Sequence, residues 1–251
     1  MSRFDSPFFL FAVMLVAQWL AAYTGDTFRK RVRRLKKEER GDFDVVRTAS
    51  LTLLGLIIGF SFAMAVSRYD QRKNLEEAEA NAIGTEYNRA DLLPADDALR
   101  VRQLLTQYTE KRISYYLARD EHSVEQINAD AQKLQAELWS AVVRVAATQP
   151  TPVVALALSG MNDVLNSQGY TQAAWLNRIP LEAWALAGLI AISCNLLLGY
   201  GEHRTSTLLL VLPVIVSIAI FLIADIDNPR GGVIWIHPTN LISQYQTMKQ
   251  H

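Results

Sequence analysis

The stretch "GFSFAMAVSRYDQRKNLEEAEANAIGTEYNRADLLP", Gly59 to Pro94, changes character partway along without a break. Gly59 to Val66 carries no charge, whereas charged side chains recur from Arg68 onward. The apolar positions Leu75, Ala78, Ala82, Ile83 and Tyr87 nevertheless keep a helical spacing. The first stop signal is Pro94, which disfavours helix at the residue before it. The segment reads as one helix that leaves an apolar layer and continues into water.

The apolar start of this helix belongs to one of four blocks that carry no charge: Pro7 to Tyr23, Thr48 to Val66, Ala183 to Gly201 and Ser206 to Ala224. Each is about 17–20 residues long, the length a helix needs to cross about 30 Å of hydrocarbon. Four such runs cannot be hidden inside a soluble core of a 251-residue chain. The fold class is therefore all-α: an integral membrane protein with four transmembrane helices and an extramembrane helical bundle between the second and third. Three regions follow: 1–66 with the first two spans and a basic connecting loop, 67–178 with a four-helix bundle, and 179–251 with the last two spans and a C-terminal tail.

The first block is read as a retained helix and not as a cleaved signal. Only Arg3 beside Asp5 precedes it, no small-x-small cleavage site follows, and a dense basic run comes next. That run, "RKRVRRLKKEER" from Arg29 to Arg40, holds eight basic residues in a short loop. The positive-inside rule places such a loop in the cytoplasm, with the "EHR" turn from Glu202 to Arg204 on the same side. Both termini and the 67–178 segment then fall outside. Glu38 and Glu39 also offer the run intrahelical partners.

Within the bundle, a second helix is expected over Asp96 to Ala118, with Leu99, Val101, Leu104, Leu105, Tyr108, Ile113, Tyr116 and Leu117 as its apolar positions. A third runs from Ser123, read as the N-cap with Gln126 completing a capping box, to Thr148. Its buried stripe is Leu134, Leu138, Trp139, Val142 and Val143. A fourth starts with Thr151 as N-cap and Pro152 in the first turn. Helices of this length and patterning suggest an antiparallel bundle.

The spans hold no Asp, Glu, Lys, Arg or His in their cores, which argues against a proton relay or ion-coupled transporter. Gly55 and Gly59 form a GxxxG, extended by Ala63, a pattern that lets helices approach closely. Ile58 and Phe62 stand four residues apart on the second span and share a face. A ring of such side chains from several subunits would form an apolar constriction that gates by dewetting. After the fourth span, "DIDNPRGG" makes an oxygen-rich loop in which Asp225 and Asp227 could offer oxygens to calcium, or form a turn salt-bridged through Arg230. Two carboxylates fall short of a full calcium shell, so no metal or cofactor is expected. The net charge of +0 gives nucleic-acid binding no support, and the lone Cys194 can build neither a disulfide framework nor a thiolate metal site. HExxH, GxSxG, Walker A and GxGxxG patterns are absent, so the chain is not read as an enzyme.

Two stretches together, "LLGLIIGFSFAMAVSRYDQRKNLEEAEANAIGTEYNRADLLP" and "DIDNPRGGVIWI", resemble the bestrophin-like domain family of bacterial membrane proteins, over about Leu53 to Ile236. The family is distantly similar to bestrophins, which are pentameric chloride channels. The resemblance implies a homo-oligomer in a bacterial inner membrane, a pentamer if bestrophin-like, in contact with lipid and passing small anions. It also implies that the second span lines the pore, with Ile58 and Phe62 matching an apolar neck of Ile and Phe one turn apart and Phe60 left to packing. The acidic calcium clasp of bestrophins has no counterpart in this sequence. Bestrophins keep both termini in the cytoplasm, opposite to the orientation read from the basic loop. The alternative function is a non-conducting membrane sensor or assembly protein whose helical bundle binds a partner or ligand.

Overall fold

The computed structural model describes residues 6–31, 36, 38–201 and 208–250. Among them the chain is helical, with no strand. In chain order the helices are α1 (Pro7–Arg31), α2 (Glu39–Arg89), α3 (Ala95–Leu117), α4 (Glu121–Thr148), α5 (Pro152–Leu176), α6 (Leu181–Gly201), α7 (Leu208–Asp227) and α8 (Thr239–Gln250). Helices α1, α2, α6 and α7 supply the four stretches long and apolar enough to cross a membrane. Helix α2 is unbroken for 51 residues. It gives way to a 3-10 turn at Ala90–Leu92, and Leu93 turns extended just before Pro94, as expected for a residue preceding proline. Part of the basic run and the "EHR" turn lie outside the described residues; within α1, Arg29 and Lys30 both pair with Asp26.

The chain forms two compact units. One holds the chain up to Ser67 together with Arg178–Ile234, and so contains the spans. Helix α1 packs on α6 and α7. The α1–α6 contact is backbone on backbone: a Cβ on Gly199 would fall 3.0 Å from Ala22 Cα and closer still to its carbonyl. A Cβ on Gly25 would likewise meet the backbone of Leu196 and, at 2.9 Å, the amide of Tyr200. Small residues at such a crossing permit the close van der Waals approach that holds helices together in lipid. A buried polar link joins the same three helices. Gln18 Nε2 donates to Ser217 Oγ at 3.1 Å, and Asn195 Nδ2 donates to Gln18 Oε1 at 2.9 Å.

The other unit holds Arg68–Asn177 and the chain from Trp235 onward. Its core is built at helical spacing from Val101, Leu105 and Tyr108 of α3, Leu138, Ala141 and Val142 of α4, and Ala157, Met161 and Val164 of α5, all fully buried. Leu99, Leu117, Trp139 and Val143, read on sequence as part of the apolar stripes, are exposed. At about 100° per residue, Trp139 and Val143 fall off the stripe of α4 centred on Leu138, Ala141, Val142 and Val145. The N-cap of α4 is Asp120 and not Ser123, because the Asp120 carboxylate accepts the Ser123 amide at 2.8 Å. Thr151 caps α5 through Val154 N with Pro152 in the first turn, as the sequence indicates.

Helix α8 is a difference from the sequence reading, which grouped the C-terminal tail with the last two spans. It packs on α3 within the bundle unit. A 12-residue helix is marginal alone, and its ends are satisfied by α2. Glu76 accepts Leu241 N at 2.9 Å and Asn240 Nδ2 at 2.7 Å, while Tyr87 OH donates to Met248 O at 3.2 Å. Gly84 lets α8 lie close, since a Cβ there would meet the Gln244 side chain at 2.7 Å.

Candidate functional site

The membrane stretch of α2 has two unlike faces. Leu51, Leu54, Ile58, Ser61 and Ala65 recur at steps of three and four and turn inward, with Leu54 and Ala65 fully or almost fully buried. Ile58 packs against the clusters formed by Leu54, Ala191 and Ile220 and by Ala65, Ile179 and Ile223. The far side carries Thr52, Leu53, Leu56, Gly59, Phe60 and Ala63, all exposed, with Leu56 at 52% and Phe60 at 65%. An open groove follows this side along Val45, Thr48, Ala49, Thr52, Leu53 and Leu56.

Ile58 and Phe62 therefore do not share an environment, although they are one turn apart. Ile58 is held by the chain's own helices, whereas Phe62 is 44% exposed. A Cβ on Gly55 or Gly59 would meet nothing within 4 Å, so the GxxxG packs against no other part of the described chain, and Ala63 beside it is exposed. Within the chain, close approach belongs to Gly25 and Gly199. Phe60, expected to serve packing, is instead 65% exposed. The signal that separates the faces is the two-step period of Leu51, Leu54, Ile58, Ser61 and Ala65, which marks the inward stripe.

The loop after α7 uses its acids on backbone. Asp225 accepts Val233 N and Ile234 N, one on each oxygen, both at 2.8 Å. Asp227 accepts Ile179 N at 2.9 Å. Asn228 Oδ1 accepts the amides of Arg230 and Gly231 at 3.3 Å and 3.2 Å. Gly232 is needed where it stands, because a Cβ would fall 2.6 Å from Asp225 Oδ1. Asp225 thus closes the turn, and Asp227 ties it to the segment that leads into α6. Among the described residues no three His, Cys, Asp or Glu side chains come together as a metal site.

Sequence reasoning missed the buried charges of the bundle. Glu79 and Arg112 are fully buried and paired to each other; Arg112 Nη2 donates to Glu79 Oε2 at 3.2 Å and Arg112 Nε donates to Glu79 Oε1. Tyr116 OH and Thr171 Oγ1 also donate to Glu79 Oε2, each at 3.2 Å. The Arg112 guanidinium lies 4.5 Å from the Tyr115 ring centroid. Burial works against the Arg112 charge, but the adjoining Glu79 carboxylate outweighs it and holds the guanidinium protonated.

Glu86 is different. It is fully buried, and neither carboxyl oxygen has a hydrogen-bond partner among the described residues. Its carboxyl lies over Gly160 of α5, where a Cβ would collide with it and with the Arg89 guanidinium. Burial pushes it from 4.5 up to about 8, with Asp163 adding to the rise and Arg89 opposing it. A carboxyl raised in this way is neutral in the fold and ionised in the unfolded chain between those two values. Its contribution to stability thus falls as pH rises from about 4.5 to about 8 and levels off above. Glu86→Gln is expected to remove that slope and to melt higher than the parent at neutral pH. Thermal melts of both proteins at about pH 5 and about pH 8 check this; an equal gap between them at the two pH values would rule out a neutral buried carboxyl.

A family model described as the Bestrophin-like domain matches residues 10–241. No curated protein matches the chain. Among solved structures, a bacterial bestrophin homolog from Klebsiella pneumoniae, bearing one substitution, superposes with a TM-score of 0.66 at 13% identity, covering 97% of each chain. A structure of a bacterial bestrophin homolog from the same organism, phased on zinc, gives 0.64 at 13% identity over 97% of this chain and 96% of that one. A third, described as a membrane protein, gives 0.60 at 14% identity over 100% of this chain and 97% of that one. At such identities the likeness is one of fold.

Proposed function

The chain belongs to the bestrophin-like domain family, and from that premise we propose that it is a homo-oligomeric membrane channel for small anions, with the exposed face of α2 lining the path. The observation that carries this reading is the two-faced span of α2. One stripe is fixed by the chain's own helices, and the opposite side offers small residues, Gly59 and Ala63, beside large ones, Leu56 and Phe60, with no partner from its own described chain. Copies of this helix around an axis would use the small residues for approach and the large ones to narrow the path. The similarity of the fold to bacterial bestrophin homologs supports the same reading.

The packing of Ile58 supports moving the constriction from Ile58 and Phe62 to Leu56 and Phe60, which are also four residues apart and lie on the open side, with Phe62 at its margin. A ring of phenylalanines closes a pore by making its wetting unfavourable. The test is planar-bilayer recording of the purified oligomer under a chloride gradient. The parent should reverse near the chloride potential, and Phe60→Ala should raise the current several-fold. Unchanged current in an assembled Phe60→Ala protein removes that side chain from the path. Silence from a well-folded parent would favour the sensor or assembly reading instead.

A further inference from the structure

Where α2 runs through the bundle unit, its surface is the reverse of an ordinary water-facing helix. Arg72, Glu76, Glu79 and Glu86 are buried, each with at most 1% exposure, while the amides stand outside. Gln71, Asn74, Ala78, Asn81, Thr85 and Asn88 are exposed and recur at alternating steps of three and four, a seam about 25 Å long with no charge on it. The exposed charges of the same stretch, Asp70, Lys73 and Glu77, lie beside the seam and not on it. Burying charge is costly and needs partners, and asparagine and threonine form helix less readily than lysine or glutamate. Neither burial nor helix propensity explains this choice of residues. Helix α8 continues the same chemistry: Gln244 and Thr247 join Asn81, Thr85 and Asn88 around a cleft of about 280 Å3.

We infer that this neutral seam lines the aqueous part of the ion path and solvates passing ions through side-chain dipoles in place of fixed charge; the inference rests on the reading of α2 as the lining helix. A carboxamide presents both N–H donors and a carbonyl acceptor, so it can turn a donor to chloride or an oxygen to potassium. A path lined in this way passes small anions with its donors turned to the ion, and no fixed charge on the seam holds that preference in place. That preference is then open to control by a single charge placed on the seam.

The experiment measures reversal potentials of reconstituted protein in a potassium chloride gradient. Asn74→Lys and Asn81→Lys should move the chloride-to-potassium permeability ratio upward, and Asn74→Asp and Asn81→Asp downward. Each shift should be about fivefold or more, the effect of one unit charge on an ion about 4 Å away in water. A second route introduces the charge after assembly. Thr85→Cys is treated with cationic and anionic methanethiosulfonate reagents; the native thiol, Cys194, is buried. Opposite shifts with the two reagents support the seam. Steady currents whose reversal potential is the same for lysine, aspartate and both thiol adducts overturn the inference while leaving the channel reading intact. No current from the parent overturns both.

Discussion

Gly199→Leu is expected to leave no stable protomer. Gly199 on α6 lies against the Ala22 carbonyl of α1, and Gly25 of α1 lies against the Leu196 and Tyr200 backbone of α6. The obstacles are main-chain atoms, which cannot swing aside as the end of a long side chain can. Overpacking a core costs about 1–3 kcal/mol and occasionally more, and a leucine at a backbone contact belongs at or beyond the upper end. Lipid gives helices little hydrophobic reason to stay together, so the lost approach is not replaced by another driving force. The hydrogen-bonded set Gln18, Asn195 and Ser217, which needs α1, α6 and α7 in register, would be pulled apart with it. Size-exclusion chromatography with light scattering in detergent, together with a thermal melt, reads the result. Gly59→Leu is the matched control: a Cβ there meets nothing within 4 Å among the described residues, so the protomer fold should survive while any assembly through that face is lost. A Gly199→Leu protein with the parent's melting temperature would show that α1 and α6 do not touch through their backbones.

Arg112→Met should destabilise the bundle by about 3–5 kcal/mol, the cost of leaving a buried charge without its partner. Glu79 would keep only the hydroxyls of Tyr116 and Thr171. Glu79→Met combined with Arg112→Met should recover part of the loss, because the pair then leaves together and apolar side chains fill the space. The recovery is partial, since two buried hydroxyls lose their acceptor. Trp175 packs on Tyr115 and Tyr116 at ring-centroid distances of 5.4 Å, so its fluorescence follows unfolding at this site. A double variant no more stable than Arg112→Met alone would mean that the two charges are not coupled.

The sequence by itself determined the class of this protein. Four charge-free runs of membrane-spanning length, and one helical period carried unbroken from Gly59 toward Pro94, are local properties, fixed by transfer free energy and by the lack of a stop signal. No partner elsewhere in the chain is needed to read them. The same holds for Thr151 and Pro152 at the start of α5. The candidate site was legible only in part, because spacing tells which residues share a face and not which way the face turns. Ile58 and Phe62 satisfied the spacing, yet Ile58 is covered by α6 and α7, whose residues lie more than a hundred positions away. The Gly55–Gly59 motif shows that a helix can be approached closely, whereas tertiary structure selected Gly25 and Gly199 for the approach within the chain. Glu79 and Arg112 read as ordinary charges on amphipathic helices until packing buries them together, and the tail becomes α8 only when Glu76 and Tyr87 satisfy its ends. What only the tertiary structure decided is which surfaces are already occupied: burial is a property of pairs of segments, and a one-dimensional pattern carries the capacity for a contact without the identity of its partner.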